Sequence, residues 1–275
     1  MRKRSGGYFW WIVSIFIVLS VLDGIRDDMQ VQEILQQADL EAEPVDLSVD
    51  QSDEQFGYVT ARGEQWRFTT SQLQENVASL PIARQHHFYT WSNYNQREMT
   101  GSASGVNQKP YFANSFLVGY KPFDTTTVWE PLAILALRKG YILDHELYGP
   151  QMAEIWQNSR QAYAYTRGDC EDHALILADW LIAMGHKARV VLGKYKNGGH
   201  AWVVLFKDGK EYILEATTKR RPRSINDFQI AALATDYRPV YQFDREHFWV
   251  NTGSEYTTRY NDKKWELRSL FTRRD

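Results

Sequence analysis

Residues 168–217 read GDCEDHALILADWLIAMGHKARVVLGKYKNGGHAWVVLFKDGKEYILEAT, and this stretch decides the fold. Asp169 suits a helix N-cap, Asp172 stands near the capping-box position, and Ala174, Leu177, Ala178, Leu181 and Ile182 recur at helical spacing until Gly185. The pattern predicts a helix with Cys170 in its first turn. Three strands follow at 188–194, 200–207 and 210–217, separated by Asn197-Gly198-Gly199 and Asp208-Gly209, the strongest short-range hairpin signals. If Asp208 and Gly209 form a two-residue turn, Lys207 faces Lys210, Trp202 faces Glu215 and His200 faces Thr217. His200 and Glu215 are then diagonal neighbours on one face, roughly 7–8 Å apart at the backbone, a gap that a glutamate side chain spans. A one-residue slip would put Glu215 on the wrong face.

This arrangement carries chemistry. Free N–H groups and the positive end of the dipole at a helix start favour a thiolate, which is expected to lower the Cys170 pKa from its reference near ~8.5. Asp169, Glu171 and Asp172 oppose that shift, so a nearby cation is needed, and a protonated His200 would supply it. A thiol, a base and a carboxylate that orients the base make a nucleophilic triad whose first product is a thioester. Trp202 is expected to pack over the triad. His173 falls on the same helix as Cys170, in a packing role. The second oxyanion donor stays open among Trp129, Trp156, Tyr163 and Tyr165.

The segments Gly-Asp-Cys-Glu-Asp-His-Ala at 168–174, His-Ala-Trp at 200–202 and Glu-Ala-Thr at 215–217 resemble the three core motifs of the transglutaminase-like superfamily, over roughly residues 125–220. The resemblance implies an α+β, papain-like fold, with the nucleophile at a helix N-terminus packed on an antiparallel sheet. It also implies Cys170 as nucleophile, His200 as base and Glu215 as third member, where the family usually has Asp. Bacterial envelope proteins of this kind are often cysteine peptidases or amidases rather than cross-linkers. The expected function is therefore a cysteine-dependent hydrolase of amide bonds. Transfer of the acyl group to an amine would instead give a protein-glutamine acyltransferase, and loss of chemistry would leave an envelope binding module.

The rest of the chain sets the context. Of 275 residues, one is Cys, so intramolecular disulfides, multi-cysteine zinc sites and iron–sulfur clusters are excluded. No cofactor or metal is expected, because the adjacent His86 and His87 lack further ligands at metal spacing. A formal net charge of −2 argues against a duplex-DNA binder, so no nucleic-acid partner is expected. Arg2, Lys3 and Arg4 precede an apolar run at 6–22, which reads within residues 1–24 as a signal anchor or a cleaved signal peptide. The expected location is the cell membrane, single-pass with the catalytic domain on the periplasmic side, or secretion after cleavage; the expected partner is an envelope protein or peptide substrate. Residues 25–54 read as an acidic linker, since 23–54 hold 11 Asp or Glu against Arg26 alone. Residues 55–275 form the expected transglutaminase-like domain, mildly basic with 28 Lys or Arg against 23 Asp or Glu.

Around the motif core, strand-like pieces are expected at 57–60 and 65–69, a turn-rich loop at 102–107, and helices at 129–139 and 151–165. The aromatic-rich tail at 237–271 is expected to add core or strand packing. Lys219-Arg220-Arg221-Pro222-Arg223 is expected to be an exposed loop, with an anionic substrate or lipid headgroups as its other use.

Overall fold

The computed structural model describes residue 33 and residues 55–62 and 66–274. The expected signal segment and nearly all of the acidic linker lie outside the described residues. Within them, no helix is long and apolar enough to cross a membrane.

The described elements run β1 (Gly57–Ala61), β2 (Arg67–Thr69), α1 (Thr70–Ala78), β3 (Tyr89–Ser92), β4 (Glu98–Gly105), β5 (Pro110–Phe112) and α2 (Glu130–Arg138). Next come β6 (Gly140–Tyr141), α3 (Asp144–Leu147), β7 (Ile155–Trp156), α4 (Ser159–Ala164), β8 (Arg167–Gly168) and α5 (Cys170–Ala183). The chain ends with β9 (Lys187–Tyr195), β10 (Gly198–Lys207), β11 (Lys210–Leu214), β12 (Gln229–Ile230), β13 (Tyr237–Phe243), β14 (His247–Asn251) and β15 (Trp265–Arg273). Helices and a large antiparallel sheet thus share one α+β fold. Nine strands make that sheet, in the order β12-β11-β10-β9-β13-β14-β15-β1-β2.

Helix α5 is the structural hub, and its sequence explains why. It is apolar nearly all round, as a helix buried on every side must be, and residues 171–181 are all buried. One flank packs on β9 and β10 and another on α2 and α4. Gly185 closes it in the left-handed region at φ 85°, with the His186 N–H reaching back to the Leu181 carbonyl, a C-cap geometry that glycine adopts without a Cβ penalty. On the opposite sheet face, Trp202, Val191, Val204, Ile213, Tyr237 and Trp265 form one apolar cluster. Trp180 and Trp202 are wholly buried, and truncating either to Ala would cost about 3–5 kcal/mol.

The second hairpin has the register its turn predicts. Lys207 pairs with Lys210 and Val203 with Leu214, and Asp208 and Gly209 both take positive φ, as a two-residue turn with the twist of the flanking strands requires. The first hairpin differs from expectation. Tyr195 already pairs with Gly198, so the turn is Lys196-Asn197 and both glycines belong to β10. Lys196 takes the positive φ, at 54°.

Two other segments depart from the sequence expectation. The turn-rich region at 102–107 is largely strand β4, whose Met99–Gly105 side is buried. The expected turn is confined to Val106 and Asn107, closed by the Gln108 N–H on the Gly105 carbonyl, while the small residues before it serve close packing, since a Cβ on Gly101 would stand 2.4 Å from the Phe88 ring. The region 151–165 holds strand β7, which runs parallel to β4, and the short helix α4, capped by Asn158 through the Gln161 N–H. Asn158 is a strong N-cap and starts the helix late. The aromatic tail supplies β13, β14 and β15, and β15 pairs with β1 from Gly57↔Arg273 to Ala61↔Ser269. The two ends of the described domain are therefore stitched together.

Candidate active site

Three elements meet at the site: the first turn of α5, the start of β10 and the end of β11. Cys170 opens α5 and is half-buried, and its Sγ donates to Glu171 Oε2 at 3.3 Å. The Ala201 backbone lies near enough to the sulfur to favour its thiolate form, which puts the thiol beside the strand that carries His200. No hydrogen bond joins Cys170 to His200 among the described residues. His200 and Glu215, by contrast, meet directly, with Nε2 to Oε2 at 2.7 Å. The hairpin brings this pair together, but its paired register ends at Val203↔Leu214, so Glu215 stands one residue past β11 and the strand expected to reach 217 is three residues shorter.

Every oxygen of Glu215 is occupied. Oε2 also accepts from the Tyr237 hydroxyl at 3.1 Å, while Oε1 accepts from the Thr217 N–H at 3.0 Å and from Thr217 Oγ1 at 2.6 Å. Burial pushes the carboxyl up, but the His200 and Thr217 contacts outweigh it and hold its pKa below the usual value. Trp202 stacks beside the imidazole, with centroids 6.2 Å apart and planes at 23°, so the ring is walled on one side by an immobile indole. Tyr195 contacts it from another direction at 5.7 Å.

The thiol end is built differently. Burial and the charge of Asp169 push the Cys170 thiol up to about 12, against smaller lowering influences from Glu171 and the Ala201 backbone. The expected lowering by the helix start is thus overturned, because acidic neighbours and desolvation exceed the dipole in this position. Asp169 occupies the N-cap, but its side chain makes no capping bond. His173 is buried, with Nδ1 2.6 Å from the Asp169 carbonyl, and desolvation with the Lys139 charge lowers its pKa to about 3. It is a neutral packing histidine and no rival base.

Asp144, Asp169 and Asp172 are all buried and bring carboxylate oxygens within 4.8 Å of one another. Asp172 Oδ1 accepts from the Gln157 N–H at 2.7 Å and Asp144 Oδ2 from the Ile155 N–H at 2.5 Å. Asp144 Oδ1, Asp169 Oδ1, Asp172 Oδ2 and Glu171 Oε1 are buried and have no hydrogen-bond partner. The nearby cation does not fill the gap: Lys139 Nζ gives its bonds to Gln157 Oε1 and to the Tyr165 and Arg167 carbonyls. Burial raises the pKa of each of these four carboxylates, with mutual repulsion adding to the rise in Asp144, Glu171 and Asp172. An all-oxygen set of this kind suits a hard divalent cation such as calcium or magnesium. Asp144 was not visible from motif spacing; the short parallel pairing of β6 with β8, which sets Tyr141 opposite Gly168, carries α3 to the start of α5. Gly168 has a steric reason to be glycine, since a Cβ there would lie 2.2 Å from Asp172 Oδ2.

Among the upstream aromatics considered as oxyanion donors, Trp156 Nε1 is engaged by Glu154 Oε1 at 2.8 Å and so is already spent. Tyr141 was not anticipated. It is half-exposed, lies opposite Gly168 in the β6–β8 pair and contacts the His173 ring. Burial and the charges of Cys170 and Asp169 raise its hydroxyl pKa, so it is a standing neutral donor near Cys170.

A domain with a thiol at a helix start and a His–carboxylate pair on the facing hairpin has the layout of a cysteine-dependent acyl-transfer site. Residues 154–269 match the sequence model of the CEP76 peptidase-like domain. No curated protein matches the chain. Among solved structures, Legionella pneumophila LapG is similar at 20% identity, covering 52% of this chain and 77% of that one, with a TM-score of 0.36. Its calcium-bound form is similar at 20% identity over 56% and 83%, with a TM-score of 0.37. A cysteine-protease candidate from Cytophaga hutchinsonii is similar at 18% identity over 85% and 67%, with a TM-score of 0.27.

Proposed function

We propose that this protein is a cysteine-dependent hydrolase of peptide or other amide bonds, with Cys170 as nucleophile, His200 as base and Glu215 as the group that orients His200. The observation that carries this reading is the 2.7 Å His200–Glu215 bond on a hairpin whose next residue, Ala201, lies beside the Cys170 sulfur. With Nε2 committed to Glu215, the free Nδ1 is the atom that takes the thiol proton.

Because the resting thiol is held protonated, deprotonation accompanies attack rather than preceding it. Sγ bonds to the substrate carbonyl carbon as its proton passes to His200. The tetrahedral intermediate then collapses to a thioester while His200 returns the proton to the leaving amine. Water, deprotonated by His200, attacks the thioester, which releases the carboxylic acid and restores the thiol. The Cys170 N–H and the Tyr141 hydroxyl are the donors available to the oxyanion. Turnover of an envelope-derived peptide mixture, compared with Cys170→Ala by mass spectrometry, tests the reading: new termini identify a hydrolase, whereas isopeptide products identify the acyltransferase. An identical peptide pattern from both chains contradicts either one.

The orphaned carboxylate oxygens favour a second element of the site. Asp144, Asp169 and Asp172 would hold a divalent cation, which when bound supplies the positive charge that their buried oxygens lack. The apolar run at 6–22 supports a membrane-tethered or exported protein acting on envelope substrates.

A further inference from the structure

We propose that the cavity beside Glu215 is a substrate subsite for a carboxylate group, an inference that rests on the hydrolase reading and names its substrate class. The cavity has a volume of about 560 Å³, and Glu215 and Tyr237 form part of its wall. Glu215 is the residue that holds His200, so the cavity begins one side chain away from the proposed base. Tyr195 lies on the same wall and packs on both His200 and Tyr237.

The charge of the lining carries the argument. Arg220, Arg221 and Arg223 line the cavity within four consecutive residues. Among the described residues, no carboxylate pairs with the guanidinium of Arg220 or Arg223. Of the two acidic lining residues, Glu215 has both oxygens engaged by protein groups and Asp227 has one. Glu215 is bonded to His200, Tyr237 and Thr217, and Asp227 Oδ2 accepts from the Arg223 and Ser224 N–H groups. The cavity therefore carries three arginines against two carboxylates, and the guanidinium groups of Arg220 and Arg223 have no carboxylate partner among the described residues, a composition that favours an anion. Guanidinium forks match carboxylate geometry in a bidentate way.

The loop is also held in place. Lys219 Nζ donates to the Lys139 carbonyl, Pro222 is buried, and Ser224 caps the turn that follows Arg223 with Asp227 completing its capping box. Two such cations fixed on a concave wall near the triad favour a peptide carboxylate over a flat lipid surface. That carboxylate can belong to an Asp or Glu side chain or to a chain terminus.

The test uses the full-length chain in two arms. In the first, a proteome-derived peptide library is cut by wild type, with Cys170→Ala as blank. The cut peptides are expected to carry an acidic side chain, or a free terminus, at a fixed distance from the scissile bond. The Arg220→Gln/Arg223→Gln double variant is expected to lose that preference, and a preference that is absent or unchanged in the double variant overturns the proposal. The second arm needs no catalysis. Binding of amidated tetraglutamate, amidated tetraglutamine and free-acid tetraglutamine to Cys170→Ala is measured by calorimetry, with and without the two Arg→Gln changes. Amidated tetraglutamate binding reports a side-chain carboxylate, and binding of only the free-acid tetraglutamine reports a terminal one. The arginine changes are expected to weaken either by roughly ten-fold or more. Equal binding of all three peptides, or binding indifferent to the arginines, overturns the subsite. If wild type cuts nothing beyond the blank while carboxylate-selective, arginine-dependent binding persists, the hydrolase reading fails and the anion site stands.

Discussion

The two halves of the candidate site are built to opposite electrostatic standards. On the hairpin side, Glu215 has four hydrogen bonds on two oxygens and a pKa held below the usual value. On the helix side, Asp144, Asp169, Glu171 and Asp172 each keep a buried oxygen without a partner, and their pKa values are raised. A buried polar group left unsatisfied costs about 1–3 kcal/mol, more when charged. The contrast teaches that the surroundings of His200 are completed by protein groups alone, whereas those of Cys170 await a proton or a cation.

The largest effect is expected at the proposed nucleophile. Cys170→Ala should lower amide hydrolysis by roughly four orders of magnitude or more, read from progress curves on a cleaved peptide. Residual turnover within ten-fold of wild type would remove Cys170 from the chemistry. Glu215→Gln comes next, because it keeps the shape of the side chain but removes the charge that accepts the imidazole N–H. It should lower kcat by about 10²-fold with little change in KM; a KM effect alone would make Glu215 a substrate contact.

Stability predictions probe each side in turn. Gly168→Ala drives a Cβ into Asp172 and should cost about 1–3 kcal/mol in denaturant unfolding. A neutral result would mean that the carboxylate can simply move aside. On the hairpin side the sign follows from the lowered Glu215 pKa: the folded state binds the proton less well than the unfolded chain. Its contribution is present above the unfolded carboxylate value near ~4.3 and is lost as pH falls through the lower folded value. Glu215→Gln should therefore flatten the acid limb of the stability curve and leave the neutral region little changed in shape. On the helix side, calcium should raise the melting temperature of the wild-type chain, EDTA should reverse the rise, and Asp172→Asn should remove the response. A melting temperature indifferent to calcium and EDTA would leave protons as the only occupants of the cluster.

The same contrast explains what the sequence made legible. His200 and Glu215 are joined by a local device, the Asp208-Gly209 turn, so counting residues along two strands suffices to bring them together. The buried acid cluster depends on Asp144, which stands far upstream and arrives through the two-residue β6–β8 pairing; no periodicity or turn signal marks so short a contact. The rise in the Cys170 pKa was hidden for a related reason, since the dipole can be read from position while burial cannot. Strand β4 was obscured because Gly101, Ser102, Ser104 and Gly105 carry turn-like residue types for a packing purpose. The β1–β15 pairing links residues more than 200 positions apart and has no local signature.

The most direct test of the central claim, that His200 serves Cys170 as its base, is the alkylation rate of this single cysteine by iodoacetamide near neutral pH, followed by intact mass. With the thiol pushed up to about 12, reaction depends on proton removal by His200. His200→Asn is therefore expected to slow alkylation by about ten-fold or more, with the near-UV spectrum of the packed tryptophans unchanged. Equal rates in the two proteins would contradict the account.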